Sequence, residues 1–177
     1  MSRALPLLAL SLVVFIAPVF GAQAAPVVPA PAGVLALMER VADWQLANLP
    51  VARPRDGWVQ AAGYAGIMAL AEISQSPRFD GAMMKMGTEN QWKPGARVYH
   101  ADDHCVVQTY AELYFRHNDQ AMLAPAIERF DAILASPTPV GREFRPPDRV
   151  INYWWCDALF MGPPAWLKLW KATGKAA

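Results

Sequence analysis

Apolar residues recur at helical spacing in one stretch of this chain after another, and nowhere alternate with polar ones over a strand's length. That pattern restricts the fold to packed helices. From Val34 to Leu49 the stripe is Val34, Leu37, Met38, Val41, Trp44 and Leu49, and Pro50 ends it. Trp58 to Ser74 is dense in Ala, Met and Gly and nearly free of charge, as a helix packed on several sides must be. Phe79 to Met86 is a short, Met-rich piece before a loop from Gly87 to Val98. A helix from about Cys105 to His117 carries Val106, Val107, Tyr110, Leu113 and Tyr114 on its inner face. The next one opens at Asn118-Asp119, carries Met122, Leu123, Ala126, Ile127, Phe130, Ile133 and Leu134, and stops before Ser136-Pro137. A proline-rich connection with Arg142, Arg145 and Arg149 leads into a Trp-rich helix that runs to about Thr173 and ends at Gly174. About six helices in succession predict an all-α fold of antiparallel pairs packed side by side. No strict repeat is visible, which argues against a regular solenoid.

With 177 residues, 54% of them hydrophobic, the chain can build one domain around a real core. Lys and Arg number 16 against 15 Asp and Glu, and no basic cluster interleaves with aromatics, so nucleic acid is not an expected partner. At the N-terminus Arg3 precedes an apolar run from Leu7 to Phe20, and Ala22-Gln23-Ala24 offers the small residues of a cleavage site. Residues 1–24 therefore read as a signal peptide; the run is short for a spanning helix and contains Pro18. The expectation is a periplasmic or secreted protein with no membrane segment after cleavage, a proline-containing linker over 25–32, and a folded part over 33–177. Cys105 and Cys156 both fall in helical apolar patterns, which favours buried thiols over a disulfide.

The chemistry concentrates in Tyr153-Trp154-Trp155-Cys156-Asp157-Ala158-Leu159-Phe160-Met161-Gly162-Pro163-Pro164. An acid among aromatic residues must be protonated or paired if it is buried, so Asp157 is the first candidate for a working acid. On one continuous helix it shares a face with Tyr153, Trp154, Phe160 and Met161, surface suited to stacking on a sugar ring. The competing role is a core acid that caps the helix or pairs with an arginine. Upstream, Asp102 and Asp103 stand at a helix start, where either can be an N-cap or an active-site carboxylate. His100 and His104 bracket them at helical spacing, but a third ligand and any zinc signature are missing, so no metal is expected. Trp58, at the start of its helix, can line a pocket or simply pack.

Three segments in order carry a family resemblance: Gly57-Trp58-Val59-Gln60-Ala61-Ala62-Gly63-Tyr64-Ala65-Gly66, Ala101-Asp102-Asp103-His104-Cys105-Val106-Val107-Gln108-Thr109-Tyr110, and Trp154 to Pro164. Over roughly Val34 to Gly174 the chain resembles the unsaturated rhamnogalacturonyl hydrolases of glycoside hydrolase family 105, relatives of the unsaturated glucuronyl hydrolases of family 88. The resemblance implies an (α/α)6 barrel that acts on unsaturated uronyl oligosaccharides left by polysaccharide lyases, releasing Δ4,5-unsaturated galacturonic acid from pectin fragments. It implies hydration of a vinyl ether: an acid protonates C4, water adds at C5, and the hemiketal opens the glycosidic link. The matching acid is Asp157, with Asp103 preferred to Asp102 as the second carboxylate. Trp58 and Trp154 would stack on substrate, Asp102, His104 and Met161 would neighbour it, and neither metal nor cofactor is called for.

A barrel of that kind needs twelve helices, on the order of 300 residues, and this chain supplies about half. Val107 also stands where the second motif of the family leads one to expect glycine. The resemblance thus implies the N-terminal half of the barrel, with exposed inner apolar faces that favour self-association or await a C-terminal half. The alternative function is an inactive fragment or a non-catalytic helical module that binds carbohydrate or protein.

Overall fold

The computed structural model describes residues 30–50, 54–137 and 155–174. Its elements are α1 (Pro31–Ala47), α2 (Trp58–Ser74), α3 (Pro77–Glu89), α4 (Ala101–His104), α5 (Val107–His117), a 3-10 turn (Gln120–Met122), α6 (Ala124–Ala135), α7 (Ala158–Met161) and α8 (Pro163–Thr173). Among the described residues there is no strand, as the periodicity predicts. The stretch read as a signal peptide, residues 25–29 of the expected linker, the arginine-bearing connection and Trp154 lie outside the described residues.

Local chemistry sets the boundaries. α1 begins at Pro31, ahead of the expected Val34, because a proline's fixed φ suits the first helical position. Pro31 and Ala32 are therefore helical instead of linker. Pro77 does the same for α3, which runs two residues earlier and three later than the Met-rich piece suggested. α5 stops at Asn118 and α8 at Gly174, both left-handed, with φ of 54° and 68°. The Trp-rich helix expected as one piece is two, since Pro163 and Pro164 bring no N–H groups to the carbonyls of the preceding turn.

Side-chain pairings fix the directions of the helices. Arg116 near the end of α5 donates to the Met68 carbonyl of α2 at 3.2 Å, while Glu112 and Phe115 of α5 meet Lys168 and Lys171 of α8. With Gln108 against the end of α7, these contacts make α2, α5 and α8 run the same way. α3 runs against them: its first turn reaches the end of α5 through Asp80 with Arg116 and His117, and Asn90 just past its end reaches Tyr110. The N-terminal ends of α2, α4–α5 and α7–α8 are thereby gathered at one end of the molecule.

The core lies between these parallel helices and the layer of α1, α3 and α6. Tyr64, Phe79, Met83, Tyr110, Leu113, Met122 and Leu123 are fully buried there. Burying Phe79, Met83 and Leu113 contributes on the order of 2 kcal/mol each. Phe130 of α6 packs on Trp166 of α8 with ring centroids 4.3 Å apart, closing the far side of this layer. At the two ends of the arc the apolar surface continues into solvent: Leu37, Met38, Val41 and Trp44 on α1, and Leu159, Phe160, Leu167 and Trp170 on α7 and α8.

Candidate active site

α4 is a single turn that runs on through Cys105 and Val106 into α5. Its N-terminal cap is His100, whose Nδ1 accepts the Asp102 N–H at 3.3 Å; neither aspartate caps the helix, contrary to the structural role open to them in the sequence. Asp103 turns back onto the preceding loop. Its Oδ2 accepts the Arg97 backbone N–H at 2.6 Å, and its Oδ1 accepts Arg97 Nε at 2.9 Å and a terminal guanidinium nitrogen at 2.5 Å. Gly95 is required beside it, because a Cβ there would stand 2.6 Å from the Asp103 carboxyl carbon. The Gly95 N–H also donates to the Asp103 carbonyl at 2.8 Å. Asp103 is thus a buried carboxylate already occupied by three donors.

Asp102 is placed differently. It is half-buried, with Oδ2 3.5 Å from both the Arg97 guanidinium and His100 Nδ1, distances that leave it weakly held. Burial, reinforced by the Arg97 charge, pushes the His100 imidazole below its ordinary value, while Asp102, Asp103 and Asp157 pull the other way. The electrostatic reach of Asp157 to His100 brings the second and third sequence segments together, as does the packing of α7 on α4.

Asp157 is exposed, which corrects the expectation of an acid buried among aromatics. It sits in the turn before α7, and its carbonyl accepts the Phe160 and Met161 N–H groups at 2.9 and 3.2 Å. The short helix turns Ala158 and Met161 into the core and leaves Trp155, Leu159 and Phe160 outside, so the apolar frame is split between two sides. Met161 is accordingly core packing instead of a substrate contact. His104 is also inside: it is 1% exposed, its Nε2–H donates to the Val98 carbonyl at 2.8 Å, and its ring lies 4.7 Å from that of Phe130. Desolvation drives its imidazole down to about 4, and the role of substrate neighbour passes away from it. Trp58 opens α2 at the same end of the molecule with 44% of its surface exposed.

Cys105 is buried, its thiol pushed up to about 12 by desolvation, whereas Cys156 is free and exposed instead of buried as its apolar pattern suggests. Between α2, α5 and α8 lies a cavity of about 200 Å³ that Glu72, Gln108, Thr109, Glu112, Arg116 and Lys168 line. Among the described residues no group of three or more His, Cys, Asp or Glu side chains could hold a metal ion.

The pattern of Glycosyl Hydrolase Family 88 matches residues 37–177. The chain belongs to that family. The resemblance to families 105 and 88 is thereby borne out. An unsaturated 3S-rhamnoglycuronyl hydrolase from Formosa agariphila is 30% identical over 135 residues, covering 73% of this chain and 35% of that protein. One of the same name from Alteromonas sp. (strain LOR) is 31% identical over 128 residues, covering 66% of this chain and 31% of that protein. The family 88 chain described here thus spans about a third of the length of the curated relatives it matches. A polysaccharide lyase of known structure superimposes with a TM-score of 0.66 at 22% identity, over 81% of this chain and 42% of the lyase. That likeness supports the partial (α/α) barrel.

Two residues of this family 88 site, Arg97 and Gln108, and the capping role of His100, are not marked by the sequence pattern. Arg97 and His100 lie in a loop, where no periodicity marks a partner for Asp103 or a cap for α4. Gln108 is a polar residue among Val106, Val107, Thr109 and Tyr110, and that position was the one available signal that it serves a buried acceptor.

Proposed function

We propose that this chain is part of an exported hydrolase that releases a Δ4,5-unsaturated uronic acid from the non-reducing end of lyase-generated, rhamnose-containing oligosaccharides. The observation that carries the reading is the packing of α7, which Asp157 directly precedes, on α4, which carries Asp102 and Asp103. The elimination that creates the 4,5 double bond makes C4 trigonal and so removes the one stereocentre that distinguishes galacturonate from glucuronate. The pectin-derived substrate and the rhamnoglycuronyl substrate named for the relatives therefore present the same terminal ring.

In this mechanism Asp157 protonates C4 of the vinyl ether and a water adds at C5. Exposure of Asp157 leaves its carboxyl accessible to the ring, and Trp58 offers a stacking face at the same end. The second carboxylate is Asp102, not the Asp103 preferred from sequence. Asp103 would have to release its Arg97 contacts before it could address water or substrate. Asp103 acts instead as the anchor that fixes the loop and the α4 turn. Export rests on the N-terminal 24 residues, whose cleavage can be read by mass spectrometry of secreted protein.

The test is loss of the enol-ether ultraviolet absorbance when purified protein meets an unsaturated uronyl-rhamnose disaccharide, with Asp157→Asn, Asp102→Asn and Asp103→Asn alongside. Loss that disappears in the first two variants is the expected result. Absence of loss from folded protein refutes catalysis by this chain, and a binding titration with the same disaccharide then decides the non-catalytic carbohydrate-binding reading.

A further inference from the structure

Helix α7 ends in a way that its own backbone cannot satisfy. In a helix the carbonyl of Phe160 would accept from the N–H of residue 164, or in a tighter turn from residue 163, and both are prolines. The carbonyl of Met161 fares no better. Residue 164 has no N–H, and the N–H of Ala165 is taken by the Gly162 carbonyl at 2.9 Å. Among the described residues, two adjacent carbonyls of the turn that carries Asp157 are therefore without a backbone donor.

Gln108 supplies it. From the first turn of α5 its Nε2 donates to the Phe160 carbonyl at 2.7 Å and reaches the Met161 carbonyl at 3.3 Å, with the Cys105 sulfur a further 3.8 Å contact. The side chain is 4% exposed, so no water substitutes for it freely. We infer that Gln108 is a positioning residue for Asp157: its amide replaces the donors that Pro163 and Pro164 remove, and so fixes the α7 turn against α5. The carbonyl of Asp157 holds the other end of that turn through Phe160 and Met161, which couples the acid's backbone directly to the clamp. The catalytic half of this assignment rests on the hydrolase reading above; the clamp itself does not.

The experiment is a two-residue rescue in the full chain. Gln108→Leu removes the donor at similar volume, and Gln108→Asn withdraws it by one methylene with less disturbance of the core. In both, the amides of Phe160, Met161 and Gly162 should exchange with deuterium faster than in the parent, on the order of tenfold for Gln108→Leu, while those of α2 stay protected. Pro164→Ala restores an N–H at the helical position for the Phe160 carbonyl, so Gln108→Leu with Pro164→Ala should return α7 exchange toward the parent rate. On the unsaturated disaccharide the same pair should lower kcat with KM held, then restore it. Unchanged α7 exchange in Gln108→Leu, or no recovery with Pro164→Ala, overturns the clamp. A parent without activity refutes the hydrolase reading and leaves the exchange result to decide the clamp. Loss of kcat without faster exchange overturns the positioning role.

Discussion

Acid sensitivity follows from His104. Its imidazole is buried and neutral, donating Nε2–H to the Val98 carbonyl, and desolvation lowers it from the ordinary 6.5 to about 4. A folded-state value below the unfolded one means that the unfolded chain binds a proton first as pH falls. Stability from this group is complete above 6.5 and is lost progressively as pH drops from 6.5 through 4. Over the whole window the difference is about 3 kcal/mol, and between about pH 7 and pH 5 it is about 2 kcal/mol. For a chain of this size that corresponds to roughly 6 °C in Tm. The carboxylates also titrate in this range, so the comparison is with His104→Gln, which keeps an N–H for the Val98 carbonyl and cannot be protonated. Melting both proteins at about pH 7 and pH 5 should show a Tm drop about 6 °C larger in the parent. Equal drops would refute the argument that a buried neutral imidazole makes this part of the fold acid-labile.

Arg97→Met takes two donors from the buried Asp103 carboxylate and leaves the backbone N–H. Because the guanidinium is more than half exposed and water can partly replace it, the expected loss is about 2 kcal/mol in a urea melt, and a change below about 0.5 kcal/mol would mean that Asp103 is not the anchor of this loop. The apolar ends of the arc predict concentration-dependent association by light scattering, and Val41→Glu, at a position with 59% of its surface exposed, should shift the protein toward monomer without lowering its helical signal. A parent that is monomeric at every concentration sinks that expectation.

How far the sequence could be read depended on how local the physics was. α2 was found with both ends in place, because an uncharged run of small and apolar residues specifies a packed helix by itself and Gly57 precedes its start. The meeting of the second and third segments was legible only through a family resemblance, since nothing local places residue 157 beside residue 102. The environment of Asp157 was misjudged for a definable reason. Helical spacing carries the apolar frame through Asp157 to Met161, yet α7 begins only at Ala158 and leaves Asp157 in the turn before it. The hold on Asp103 is equally invisible to periodicity. Its partner is six residues upstream in a loop, a separation that no periodicity exposes, although a glycine and an arginine just before the acid pair were there to be weighed.

The two acidic turns have a common structure. At both acids a helix was made too short to satisfy itself, and a side chain from elsewhere completes it: His100 caps α4, Arg97 binds the carboxylate behind it, and Gln108 feeds the end of α7. Short helices cost backbone hydrogen bonds that a long one would keep, and the fold recovers them with buried side chains. The consequence is geometric. The Asp103 carboxylate is held by Arg97, and the carbonyls at the end of the turn after Asp157 by Gln108, so the placement of the two turns depends on the Arg97 loop and on α5. Changes at Arg97 and Gln108 should therefore act on the pair jointly. If their effects on kcat add as independent free energies, the two turns are not coupled in this way; a double variant no worse than the poorer single one is the result that the arrangement requires.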